Sequence, residues 1–324
     1  MQVLFWKLGW MKNREKEYRV VLDESRRRLN LLIDRRGAKP IKVLYDRAMA
    51  EQIKKIKTQL RASSFSAYQQ ATVLAQLRQG QLVLSRRLVG ELGKLSEEAL
   101  KESLNGLQSA LDRLEPDFEG ASVGIRSDIA ARFEGIIDNR APTMLRIHEQ
   151  SVARYGSAVV DKMGSELAQS AMLVETPIQA MARIESVADT SWYGAERIVR
   201  TESAYAYNLA HRDGISEASE EIEDLMMQWN EHCTPEGIPL DDRVSVDSLA
   251  MHGQVAAPDG VFVCPSTSPS PDAKGKIIVP PRLAQEEFRQ PPNRPNDRSV
   301  LTPWRRVWGL PGWIWNGRRT WFNR

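Results

Sequence analysis

Between Ile41 and Leu173 apolar residues recur three and four positions apart with few prolines among them, the spacing that turns one face of an α-helix toward a core. Leu100, Leu104, Leu107, Leu111 and Leu114 draw the clearest stripe, stepping like the seam of a bundle or coiled coil. A second stripe, Leu74, Leu77, Leu84 and Leu88, precedes it and offers it a packing partner, with Gly80 and Gly90 weakening that helix. Pro116 with Gly120, and the Ala141-Pro142 step, predict breaks, because proline drives the preceding residue out of helical geometry. Thr176-Pro177 reads as an N-cap with proline at the first helical position, opening a short helix through Ile178, Met181 and Ile184. Asp189 or Thr190 then caps a longer helix from about Trp192 to Ala218, with Ile198, Tyr205 and Leu209 on one face.

After Glu223 the texture changes. Leu225-Met-Met-Gln-Trp229, Val261-Phe-Val263 and Ile277-Ile-Val279 predict strands, and Pro265-Ser-Thr-Ser-Pro-Ser-Pro271 predicts the loop joining the last two. From Pro291 the chain is rich in Pro, Arg and Trp and reads as an extended arm that orders against a partner. The fold class that follows is α+β, predominantly α: a helical N-terminal domain followed by a long helix and a small β-sheet, with extended termini. The expected divisions are a basic N-terminal arm (1–40), a helical domain (41–175), an α+β domain (176–290) and a Pro/Arg/Trp-rich C-terminal arm (291–324).

Hydrophobic content of 42% and charged content of 27% sit near the globular average and exclude neither an enzyme nor a structural protein. The charge distribution says more. Residues 1–61 hold 17 Lys/Arg against 7 Asp/Glu and residues 282–324 hold 9 against 3, so a net +3 conceals ends of +10 and +6 around a middle of −13. Basic ends on an acidic body suit contact with a polyanion or an acidic partner, or form a solvated surface. Two cysteines, Cys233 and Cys264, make no disulfide framework and fit a reducing cytoplasm. The start is apolar but Lys7 interrupts it, so neither a signal peptide nor a membrane span is expected, and Trp6 and Trp10 read as anchors to a partner protein or to a membrane surface, with the partner favoured.

The informative block runs from Arg197 to His211 and continues in Gln228-Trp229, Asp241-Asp-Arg-Val-Ser245 and Met251-His-Gly-Gln-Val255. Arg200 and Glu202 stand on a helix that must bury its apolar face, so a charge near the core margin needs a partner, and Asp242-Arg243 could supply it. Such a cluster would pin the long helix to the sheet without any chemistry.

Arg200-Thr201-Glu202, Ala206-Tyr207-Asn208, Trp229, Asp242-Arg243 and Gly253, in that order, resemble the phage head-morphogenesis or minor head proteins typified by Mu F. Arg294-Pro-Asn-Asp-Arg298-Ser299 with Pro303-Trp304 resembles a departed version of the family's proline-cysteine-arginine-cysteine ending. The resemblance covers roughly residues 190–305. It implies a head component that is not an enzyme, needs no cofactor or small-molecule substrate, and binds the portal and major capsid proteins. Scaffold and packaged double-stranded DNA are further partners it suggests. Relatives carry Cys or His shortly after the aspartate-arginine turn, where this chain has Asp247-Ser248, and paired cysteines near the end, where it has Asp297 and Ser299. A metal-stapled domain is therefore not expected.

His232, Cys233, His252 and Cys264 are weak zinc candidates, since they lack a C-x-x-C or H-x-x-x-H pair. Arg200, Ser266-Thr-Ser268 and Glu286-Glu287 superficially resemble an ADP-ribosyltransferase signature, but that chemistry needs the S-T-S on a strand and here it lies between prolines. In the C-terminal stretch Trp304, Arg305, Arg306, Trp308, Trp313, Trp315, Arg318 and Arg319 interleave indoles with guanidinium groups. These would anchor a protein interface or stack on bases and neutralise phosphates, and the first reading is favoured in a head protein.

Overall fold

The computed structural model describes residues 2–60, 67–114, 123–173, 175–233, 238–241, 244, 246–265, 286–295 and 297–322. Five long helices come first: α1 (Gln2–Leu31), which passes through a π-helical stretch (Leu32–Ala38) into α2 (Lys39–Leu60), then α3 (Ala67–Leu114), α4 (Val123–Met172) and α5 (Pro177–Ala218). Short elements follow: β1 (Met226–Asn230), α6 (Val246–Met251), β2 (Val255–Ala256), β3 (Phe262–Val263), β4 (Glu287–Phe288), β5 (Val300–Trp304), a 3₁₀ turn (Arg306–Trp308), β6 (Gly312–Trp315) and β7 (Arg319–Phe322). The predominantly helical α+β class is the one the periodicity predicts.

Helix boundaries differ from the expected ones in three places. The two leucine stripes lie on one helix, α3, so they are not packing partners of each other. Gly80 does not break it; a Cβ there would sit 2.4 Å from Gln52 Nε2, so the missing side chain is what lets Gln52 reach the Leu77 carbonyl at 2.8 Å. Pro142 lies inside α4, exposed, and buried Ile136, Met144 and His148 on either side carry the helix across the hydrogen bond that proline cannot make. Thr190 does not start a helix. Its hydroxyl donates back to the Ser186 carbonyl at 2.9 Å, and α5 runs unbroken from Pro177. The start of α5 does follow the sequence: Gln179 N–H donates to Thr176 Oγ1 at 3.4 Å while Thr176 N–H donates to Gln179 Oε1 at 2.9 Å, a reciprocal capping box. Ile198 and Tyr205 are only half-buried, whereas Leu209 is buried as expected. The predicted break at Pro116 and Gly120 and the predicted strand at 277–279 lie outside the described residues, as does the loop at 266–271.

The chain forms two compact units, and neither coincides with a predicted domain. One gathers Met1–Leu32, Ser96–Ala141 and Ser203–Arg324; the other gathers Ile33–Leu95 and Pro142–Glu202. A division by contiguous stretches misses this because α3, α4 and α5 each give part of their length to both.

In the all-helical unit, α2 buries Ile41, Tyr45, Met49, Gln52 and Ile56, positions three and four apart on one face. The Tyr45 hydroxyl donates to the Ala188 carbonyl of α5 at 3.2 Å, and the Tyr155 hydroxyl of α4 donates to the Ser191 carbonyl at 2.9 Å.

The mixed unit holds a three-stranded antiparallel sheet ordered β2-β1-β5, with Trp229 opposite Leu301 and Asn230 opposite Val300, and two two-stranded ribbons, β3-β4 and β6-β7. Its core joins the Leu100 to Leu114 stripe to Phe133, Ile215, Met227, Trp229, Phe262 and Trp304.

Neither terminus is an extended arm. Counting charges along residues 1–40 hides the stripe Tyr18, Val21, Leu22 and Leu29, which buries one face of α1. Two of the arginines are buried with it: Arg14 donates to the carbonyls of Arg113 and Leu114 at the end of α3, and Arg26 donates to the Glu231 carbonyl. The side chains of Trp6 and Trp10 lie outside the described residues. At the other end β5 is a sheet-edge strand, where Pro303 is tolerated because a proline can face away from the ladder. Trp304, Trp308 and Trp313 are buried, which removes them as surface anchors; their apolar area is spent on the unit's own core. Arg319 stacks 4.7 Å over the Trp313 ring and donates to the Ala250 carbonyl at 2.7 Å, and Arg306 lies 5.2 Å over Phe322. Arg305 and Trp315 are half-buried and Arg318 is exposed.

Candidate functional site

Alternation along β1 sends Met227 and Trp229 to one face of the sheet and Gln228 and Asn230 to the other. The polar face is buried as well, so its groups need internal partners. Tyr18 of α1 provides them: its hydroxyl meets Gln228 Oε1 and lies 2.7 Å from Thr302 Oγ1, while Asn230 Nδ2 donates to Thr302 Oγ1 at 2.7 Å. Gln228 Nε2 completes the set by donating to the Pro311 carbonyl at 2.8 Å.

Trp229 is fully buried, with Phe262 edge-on at 5.4 Å and Phe288 at 6.4 Å. Its carbonyl accepts from Gly253 N–H at 2.8 Å, at a residue with φ of 77°, a left-handed conformation that costs glycine little. The Gly253 carbonyl accepts from Trp313 N–H at 3.1 Å, and Trp313 Nε1 donates to the His252 carbonyl at 2.8 Å, so this glycine turn ties β1 to β6.

Asn208, fully buried on α5, joins the helix to the outer edge of the sheet. Its Oδ1 accepts from Leu301 N–H at 2.9 Å, and its Nδ2 donates to the Ser299 carbonyl at 3.0 Å and to Ala204 O at 2.9 Å. Ser299 and Leu301 are two residues apart, so one side-chain amide satisfies the backbone groups that a fourth strand would otherwise pair. Asn208→Ala strands both groups, and a loss of about 2–3 kcal/mol in urea-denaturation stability is expected.

Beyond β1 lies a buried acid cluster. The Ser299 hydroxyl is 2.8 Å from Glu231 Oε2 and 2.6 Å from Asp297 Oδ1, and both carboxyls are buried. A hydroxyl has one hydrogen to donate, so one of the two acids must carry a proton and donate back to it. Asp297 already accepts from Ser299 N–H at 2.9 Å and Asn293 N–H at 3.0 Å, the pattern of an ionised carboxylate. Glu231 is therefore the protonated partner; burial first, and the charge of Asp297 second, push its pKa up. Ser248 adjoins Glu231, and its hydroxyl oxygen lies 3.2 Å from Asn293 Oδ1, closing a ring of Glu231, Ser248, Asn293, Asp297 and Ser299. Beside it Arg298 makes a bidentate pair with Asp241 at 2.7 and 2.8 Å.

Comparison with protein-family models, with curated proteins and with solved structures finds no match.

The sequence-selected residues divide between the units. Asn208, Tyr207, Trp229, Gly253 and Arg298 meet in the mixed unit, where Tyr207 is fully buried and stacks on His211 with centroids 5.9 Å apart. Arg200, Thr201 and Glu202 belong to the helical unit. Arg200 pairs with Asp34 and Glu196, each at 2.9 Å, and Thr201 bonds back to the Arg197 carbonyl. Glu202 accepts from Ser151 at 2.8 Å, and burial raises its pKa. His148 Nδ1 lies 3.8 Å from Glu202, but burial lowers its pKa to about 4, so the contact is no ion pair at neutral pH. Asp242 and Arg243 lie outside the described residues, as does Ser266-Thr-Ser268, while Glu286 and Glu287 are exposed.

Among the described residues no group of three or more His, Cys, Asp or Glu side chains is placed to hold a metal. Cys233 and Cys264 are buried free thiols; burial pushes Cys264 up to about 12, and His252 Nδ1 accepts from Glu231 N–H at 3.3 Å. The residues that sequence reasoning missed are Tyr18, Arg26, Glu231 and Asn293. Only Glu231 carried a signal, an acid immediately following an apolar strand.

Proposed function

We propose that this chain is a minor head protein of a tailed bacteriophage, acting in head morphogenesis by binding rather than turnover. Its partners on this reading are the portal protein and the major capsid protein, with scaffold and packaged DNA as further contacts, and its place is the virion head after assembly in the host cytoplasm.

One observation carries the reading. The positions at which the resemblance leads one to expect metal-binding cysteines or histidines are Asp247-Ser248, Asp297 and Ser299. Ser248, Asp297 and Ser299 belong to the hydrogen-bonded ring around Glu231, and buried Asp247 precedes Ser248. A staple of hydrogen bonds thus occupies the place where a metal staple would be expected, and the same unit holds Asn208 as helix clamp, Trp229 as core indole and Gly253 as turn. These residues are engaged in holding the fold together, which suits a scaffold that presents surfaces.

Co-expression of the tagged chain with the portal and major capsid proteins, followed by affinity purification, tests the binding role. Retention of at least one of them at physiological salt is expected. Recovery of the chain alone, from cells in which both partners are soluble, would count against it.

A further inference from the structure

The cations of the N-terminal stretch are used in two different ways. On α1, Arg14 and Arg26 are consumed by backbone carbonyls and Arg28 pairs with Glu102 at 3.3 Å. On α2 the buried face is Ile41, Tyr45, Met49 and Ile56. At 3.6 residues per turn the opposite side is centred on Val43, and Lys39, Arg47 and Lys54 all fall within about 40° of it. All three are exposed and have no partner among the described residues. Lys57 continues the ridge and pairs with Glu185; Lys55 is also exposed, on the flank. The neighbouring acids Asp34 and Asp46 are occupied by Arg200 and Lys42, leaving Glu51 to one side.

A merely solvated helix face mixes its signs, as α3 does with Lys94 on Glu91 at 2.8 Å and Lys101 on Glu97 at 2.6 Å. The α2 ridge does not. From Lys39 to Lys54 it offers one sign of charge over about 22 Å. A protein interface would place aromatic or large apolar side chains at its centre, and here the only uncharged positions are Val43 and Ala50.

We propose that the exposed ridge of α2, formed by Lys39, Arg47 and Lys54, binds the phosphate backbone of duplex DNA without reading its sequence. The contact is electrostatic, with each neutralised phosphate releasing a counterion. Its existence does not depend on the chain's place in a virion, and the two ideas fail separately: the head-protein reading falls with partner binding, this one with DNA binding.

The test is fluorescence anisotropy of the full chain with two labelled duplexes of about 30 base pairs and unrelated sequence, across about 50 to 200 mM salt. Equal affinity for both is expected, falling about 40-fold or more over that range, the effect of three phosphate contacts. The triple variant Lys39→Gln, Arg47→Gln, Lys54→Gln should bind more weakly and show a log-log salt slope shallower by about 2–3. Glutamine supports a helix about as well as lysine and arginine do, so the fold is retained. Lys94→Gln, which removes a cation already paired on α3, should bind like the wild type. Absence of saturable binding at the lowest salt, or a triple variant with the wild-type slope, would overturn the proposal. Tighter binding of poly-glutamate than of DNA would overturn it in favour of an acidic protein surface.

Discussion

Trp229→Ala is expected to lower folding stability of the mixed unit by about 3–5 kcal/mol, the range for truncating a fully buried large aromatic side chain. The indole fills the space between Phe262 and Phe288 on the apolar face of β1, and the backbone on either side of it is fixed by bonds to Gly253 and Gln254. Collapse around the void is therefore restricted, which places the cost toward the upper part of that range. Trp229 Nε1 has no hydrogen-bond partner among the described residues, so Trp229→Phe sacrifices volume but no bond and should cost well under half as much. Urea denaturation followed by far-ultraviolet circular dichroism measures both; a loss below about 1 kcal/mol for the alanine variant would show that this indole is not a core element.

Glu231→Gln is expected to abolish a pH dependence that the wild type shows. Burial and Asp297 push the Glu231 pKa up to about 7, against about 4.3 for an unperturbed glutamate. The native state therefore holds a proton that the unfolded chain releases earlier. Stability from this group is complete below about pH 4, is lost as the pH climbs through about 7, and then levels off; the full swing is about 4 kcal/mol. Glutamine is a permanent stand-in for the neutral acid and can donate to Ser299 in its place. Among the described residues the other charged and titratable groups around the ring are Arg26 from α1 with Asp23 beside it, Asp247 from α6 with Arg294 beside it, His252, and the neighbours His232, Cys233, Asp241 and Arg298. They are present in both proteins, so the difference between the two denaturation midpoints from about pH 5 to 8 isolates Glu231. Parallel curves would show that the pair holds no shared proton.

The parts of this architecture legible in the sequence are those set by local chemistry. Thr176, Pro177 and Gln179 announce the start of α5 because a capping box is complete within four residues. Trp229 announces β1 because an apolar run after Glu223 follows a charged helix end. Long-range pairing was not legible. Val300-Leu-Thr-Pro-Trp304 looks unlike a strand until β1 and Asn208 satisfy its two edges, one by backbone and one by side chain. The tryptophans of this stretch read as surface anchors because composition cannot show that Trp304, Trp308 and Trp313 have a core to enter. Arg200 and Glu202 read in the sequence as charges that need a partner near the sheet, and in the structure they meet Asp34, Glu196 and Ser151. The Glu231 ring was hidden for the same reason: its members are up to 68 residues apart, and only folding brings one hydroxyl between two acids.

Quantitative mass spectrometry of purified proheads and mature heads, counting this chain against portal and major capsid protein, tests the head-protein assignment most directly. A low, reproducible copy number in proheads is the predicted result, with retention in mature heads marking a virion component and loss on maturation marking an assembly factor. Absence of the chain from both particles, in cells that produce it, would contradict the assignment.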